Sequence, residues 1–148
     1  MNFAGDQRYA PPEVFHRFVL PDWKDKAFAI DCYLLGSMAC FYFTGQGMTA
    51  LLSQKLNKSI NILSFNFENG LTYWIQAFDE AIEVIRSHTK NIERQDKLIE
   101  AIRMLCFPDP RKRGHYKNIK QSGNNFQLER FVEIFNLLAR MAEYKLTK

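Results

Sequence analysis

Residues 24–43 form the longest apolar segment of the chain. Ala27, Phe28, Ala29, Ile30, Cys32, Tyr33, Leu34, Leu35, Met38, Ala39, Cys40, Phe41, Tyr42 and Phe43 are interrupted only by Asp31, Gly36 and Ser37. A helix written this way is apolar almost all round, so it must be covered by protein or by lipid. Lys24, Asp25 and Lys26 bound the run at one end, and Thr44-Gly45-Gln46-Gly47 at the other. About seventeen residues remain, the short limit for crossing a bilayer, and Asp31 lies inside them. A buried core helix with one carboxylate is the better reading, and a membrane-anchored helical protein the lesser alternative.

The remaining segments read as further helices. Leu20-Pro21-Asp22 breaks the chain, and Asp22 is placed to cap the apolar helix. Pro11 and Pro12 keep the backbone extended before a short helix from Glu13 to about Phe18, whose first turn suits a carboxylate. Met48 to Leu56 makes two helical turns. Ile60, Ile62, Phe65 and Phe67 alternate in broken pairs, which suggests extended backbone or a loop. Trp74, Phe78, Ala81, Ile82 and Ile85 recur at three and four and predict a helix over 71–87. Leu98, Ile99, Ile102, Leu105 and Cys106 predict one over 92–106, stopped by Pro108 and Pro110. Phe131, Phe135, Leu138 and Met141 predict a last one over 126–145. The expectation is a mainly α fold of five or six helices, with 25–43 the most buried.

At 148 residues, 47% apolar and 24% charged, the chain has the composition of one globular domain. Cys32, Cys40 and Cys106 show neither metal-ligand spacing nor a disulfide framework, and no metal site is expected. His16, His88 and His115 stand alone, with no nucleophile at telling spacing. The first ten residues lack an apolar leader, so the expected location is cytoplasmic. The net charge is +4, and basic residues concentrate at Arg111, Lys112, Arg113, His115, Lys117 and Lys120. That cluster matches no nucleic-acid module and reads as a solvated basic loop, Arg113 excepted.

Three separated runs carry a further signal. Gly5-Asp6-Gln7-Arg8-Tyr9-Ala10-Pro11-Pro12-Glu13 resembles the end of a protein-kinase activation segment, where Gly-Thr-x-x-Tyr leads into Ala-Pro-Glu. Asp31-Cys32-Tyr33-Leu34-Leu35-Gly36 resembles the Asp-x-Tyr-x-Leu-Gly run on the central helix of the kinase C-terminal lobe. Leu105-Cys106-Phe107-Pro108-Asp109-Pro110-Arg111-Lys112-Arg113 resembles the Leu-x-x-Asp-Pro-x-x-Arg run between that lobe's last helices. The order is the family's, and the 18-residue gap from Glu13 to Asp31 is ordinary for it. The second gap is somewhat long, with its surplus around residues 46–72. The likeness covers residues 5 to about 140.

The resemblance implies a single partial kinase-like domain over 1–148: an activation-segment end at 1–22, the central helix at 24–43 and C-terminal helices at 71–145. It implies a buried ion pair between Glu13 and Arg113, which braces the segment. Asp31 would anchor a catalytic loop, and Gly5, Asp6 and Tyr9 would form the substrate-side loop. Asp6 departs from the family, which carries Thr there, and would repel a catalytic carboxylate. No Gly-rich loop, Val-Ala-Ile-Lys strand, His-Arg-Asp or Asp-Phe-Gly occurs in these residues, so no catalytic residue is assigned. ATP and magnesium are implied only if an upstream half is supplied. The implied role is a split-kinase half, a pseudokinase or a scaffolding module of the Ser/Thr kinase type. An unrelated all-helical interaction protein is the alternative. Because the catalytic loop is missing, Ile30, Leu34, Met38 and Phe41 are not all expected to be covered. A protein partner or self-association through that face is implied, with neither nucleic acid nor membrane.

Overall fold

The computed structural model describes residues 6–121 and 125–148, and in it the apolar run forms helix α2, Trp23–Thr44. The Asp22 carboxylate accepts from the backbone N–H of Lys24 at 2.7 Å and of Asp25 at 3.2 Å, satisfying two of the donors a helix start leaves open. Gly45 ends it in the left-handed conformation (φ 75°), where a side chain would be strained, and bonds back to the Phe41 carbonyl at 2.8 Å.

Around it lie α1 (Pro12–Phe15), α3 (Met48–Lys55), α4 (Phe67–His88), α5 (Gln95–Cys106), α6 (Tyr116–Gln121) and α7 (Glu129–Leu146). Seven α-helices and no strand occur among the described residues, one helix more than expected. The broken alternation at 60–67 resolves into a 3₁₀ turn, Ile62–Ser64, and the first residue of α4. That helix begins earlier than its periodicity suggests because the Asn66 side chain caps it, accepting from Asn69 N–H at 2.8 Å. The α6 turn was not anticipated: it is short and mostly polar, so no apolar period marks it.

α2 packs chiefly on α5, and α3 on α4, enclosing Cys32, Tyr33, Leu52, Phe78, Ile82 and Ile102. Here one expectation is corrected: α2 is not the most buried helix. Ala29, Cys32, Tyr33, Gly36, Ser37 and Cys40 face inward, while Phe28, Leu34, Met38, Phe41 and Tyr42 remain exposed. The reason is geometric. α3, α4 and α5 all lie on one side of it, and no described segment crosses the other.

Gly36 sets how closely α2 and α5 meet. A Cβ there would overlap Cys106 Sγ and stand 2.8 Å from Leu105 Cβ, well inside van der Waals contact. Cys106 Sγ also donates to the Tyr33 carbonyl at 3.4 Å. Gly36→Ala is therefore expected to destabilise by roughly 1–3 kcal/mol through overpacking, despite alanine's higher helix propensity. Thermal melting checks this, and an unchanged or raised midpoint would contradict the contact.

Candidate functional site

Arg113 is fully buried, and every N–H of its guanidinium has an acceptor. Nη1 donates to Glu13 Oε1 at 2.8 Å and to the Ala29 carbonyl at 2.9 Å. Nη2 donates to Glu13 Oε2 at 2.9 Å and to the Pro108 carbonyl at 3.5 Å. Nε donates to the Phe107 carbonyl at 2.9 Å. The plane lies over the Tyr33 ring, 5.1 Å from its centroid. Lysine has no planar fork and could not make this set. Burial works against the charge, yet the Glu13 carboxylate more than offsets it and the Arg113 pKa is raised. Glu13 and Arg113, a hundred residues apart, are thus held together in the interior.

The first run is tied down at a second point. Tyr33 is buried, and its hydroxyl meets Thr49 Oγ1 at 2.9 Å. Thr49 gives its own proton to the Ala10 carbonyl at 2.8 Å, so Tyr33 is the donor of the pair. Burial pushes the tyrosine hydroxyl well above its ordinary pKa. Residues 15–18 then lie on α4. Phe15 stacks on Trp74 and Phe18 on Phe67, with centroids 6.1 and 4.5 Å apart.

Two residues that seemed inert prove to be engaged. His16 is not isolated. Trp74 Nε1 donates to its Nε2 at 2.9 Å, which leaves the ring proton on Nδ1, 3.0 Å from the Phe65 carbonyl. Arg111 is not simply solvated. It donates from Nε and Nη2 to the buried Asp109 carboxylate at 2.8 and 3.0 Å, and from Nη1 to Glu68 at 2.7 Å. The 111–120 stretch is therefore no open basic loop: Arg113, His115 and Asn118 are buried, and Asn118 Oδ1 accepts from Arg130 at 2.8 Å. These partners were illegible because each lies far off in sequence, at Glu68, Trp74 and Arg130.

The other residues implied by the resemblance lie at the surface or outside the described residues. Asp31 is exposed on the outer face of α2, with no hydrogen bond or ion pair among the described residues. It is a solvated carboxylate, because no described segment covers that face. Asp6 is exposed and paired with Arg8, from Nε at 3.0 and 2.9 Å and from Nη2 at 2.6 Å, and this pairing lowers its pKa. Tyr9 is half-exposed at the end of the 3₁₀ turn Gln7–Tyr9, which lies against α3. Gly5 lies outside the described residues. Among the described residues no cluster of three metal-ligating side chains occurs. A surface cleft of about 310 Å³ between α5, α6 and α7 is lined by Lys97, Glu100, His115, Arg130 and Leu137, and by none of Gly5, Asp6, Tyr9, Glu13, Asp31 or Arg113.

Compared with family models, curated proteins and solved structures, the chain matches none.

Replacing Arg113 by Ala is expected to cost about 3–5 kcal/mol, because Glu13 is left as a buried unpaired charge. Arg111→Ala costs roughly 1–3 kcal/mol by uncovering Asp109, while Lys112→Ala stays within about 0.5 kcal/mol. Chemical denaturation of the three variants checks the order. Equal losses would mean that the brace has no special weight.

His115 generates a pH prediction. Burial, with Arg130 and Lys117 nearby, holds its pKa below the ordinary histidine value. The unfolded chain then takes up the proton at higher pH than the folded one. Stability from this group is present above about pH 6.5 and is lost as pH falls below it. Asn at 115 is expected to flatten the dependence between about pH 7 and 5; an unchanged slope would contradict it.

Proposed function

We propose that this chain is a protein-kinase-like C-terminal subdomain that is non-catalytic alone and acts in the cytoplasm as a binding or scaffolding module. One observation carries the reading. The three runs that resemble the kinase lobe, widely separated in sequence, meet at one place: Glu13 from the first, Tyr33 and Gly36 from the second, and Leu105, Cys106 and Arg113 from the third. Accidental matches have no reason to converge. Phosphoryl transfer is mostly positioning and electrostatic stabilisation around nucleotide and magnesium. These residues supply neither the Gly-rich loop nor the metal ligands, so chemistry would need an upstream portion, in this chain or in another. The chain's own part is to hold the end of an activation segment rigidly against α2 and α5. Asp6 in place of the family's Thr points the same way, toward a pseudokinase or a structural half.

The test is reconstitution. The catalytic portion of a Ser/Thr kinase, ended just ahead of its Ala-Pro-Glu element, is co-expressed with this chain. Association is expected, with loss on Arg113→Ala and none on Lys112→Ala. The chain alone should give no saturable thermal shift with ATP and magnesium at micromolar nucleotide. A saturable shift, or no association at all, overturns the reading. The second outcome leaves an unrelated helical interaction protein.

A membrane reading has one observation in its favour: α2 has 22 residues and contains an 18-residue stretch of mean hydropathy 1.4, long and apolar enough to cross a bilayer. Against it stand Asp31 in mid-helix and the Ser37 hydroxyl, which accepts from Met48 N–H at 2.9 Å and ties α2 to α3. Pelleting with membranes separates the two readings.

A further inference from the structure

We propose that a second copy of this chain covers the outer face of α2, the two helices crossing antiparallel about a two-fold axis level with Gly36. Phe28, Leu34, Met38, Phe41 and Tyr42 lie along the outer side of α2, exposed by 43, 37, 69, 58 and 83%. Since an aromatic side chain presents 150–250 Å² when fully open, the strip offers roughly 500–600 Å² of mostly apolar surface. That is at the upper end of what a monomer ordinarily leaves in one patch. A standard interface takes about 800 Å² from each side, and in homodimers about 65% of it is apolar, or about 500 Å². One copy therefore carries the apolar area that a self-complementary dimer requires. The inference rests on this area and not on the kinase likeness.

Asp31 selects the orientation. It lies in the same strip, exposed and without a partner among the described residues. Parallel helices would set the two Asp31 carboxylates opposite each other. The antiparallel crossing separates them by about 15 Å along the axis, at 1.5 Å rise per residue. That exceeds a screening length of about 8–10 Å. It also sets Leu34 against Met38 of the second copy and opposes the helix dipoles favourably. A lipid occupant would instead have to take Asp31 toward the acyl region, at higher cost.

Sedimentation velocity of the chain from ~1 to ~100 µM tests this. The expected species is twice the 17.4 kDa monomer. Met38→Asp and Phe41→Asp should each weaken association at least about tenfold, a change of about 1.4 kcal/mol. Both positions are exposed, so circular dichroism should be unchanged, and so should melting at concentrations too low for the dimer to form. Val132→Asp, on the exposed face of α7, should leave the dimer intact, and Asp31→Asn should tighten it. A monomer at the highest concentration, or a dimer indifferent to Met38→Asp, overturns the proposal. Ready disulfide formation between Asp31→Cys copies overturns the antiparallel arrangement. A monomer that pellets with phosphatidylcholine vesicles gives the face to lipid and overturns the dimer too. None of these outcomes touches the Glu13–Arg113 reading, which the Arg113→Ala denaturation decides separately.

Discussion

An arginine whose relative exposure is 0% is costly to place in a protein interior, and at position 113 the cost is met by giving each of its N–H groups an oxygen. Those oxygens come from Glu13 in the first run, Ala29 on α2 and Phe107 and Pro108 at the end of α5. A hydrophobic side chain of similar volume could fill the same space, often at no loss of stability. What it could not do is demand that these separate segments arrive in one register. The pair therefore acts on specificity more than on net free energy. It turns the N-terminal run from a loose strand beside the bundle into part of the core.

The same logic extends outward from the brace. Tyr33 lies under the guanidinium and donates a hydrogen bond to Thr49, which donates in turn to the Ala10 carbonyl. Phe15 and Phe18 then settle on Trp74 and Phe67, and His16 satisfies the indole N–H. Among the described residues no buried side-chain nitrogen or oxygen is left without a partner. Polar groups inside this bundle are thus committed, and rearranging α1 against α4 would break several of them together.

Much of the fold was legible because apolar spacing alone places the bodies of α4, α5 and α7, and Pro108 follows the observed end of α5. Asp22 announced its cap. Glu13 and Arg113 were legible only through the kinase likeness, since nothing local links residues a hundred positions apart. α6 was not, being six mostly polar residues held by Asn118 and Arg130 rather than by an apolar face. Arg111 looked like one charge in a basic cluster because Asp109, two residues away, gave no sign of being buried. The surroundings of Asp31 were illegible for a different reason. Composition shows that α2 could be covered on every side, but whether it is covered depends on which other segments exist to do so.

That distinction gives Asp31 its meaning. A helix apolar on both faces, with one face taken by α3, α4 and α5, has a strong drive to cover the other at roughly 25 cal/mol per Å². A single carboxylate in the strip opposes this, because any cover must hydrogen-bond it, leave it a path to water or see it protonated. A flat apolar partner or a lipid phase offers none of these cheaply. A loop with free backbone N–H groups offers the first, and an antiparallel copy that keeps Asp31 toward the edge of the contact offers the second. The carboxylate thus restricts which occupants suit the face without weakening the inner packing, since no buried contact uses it.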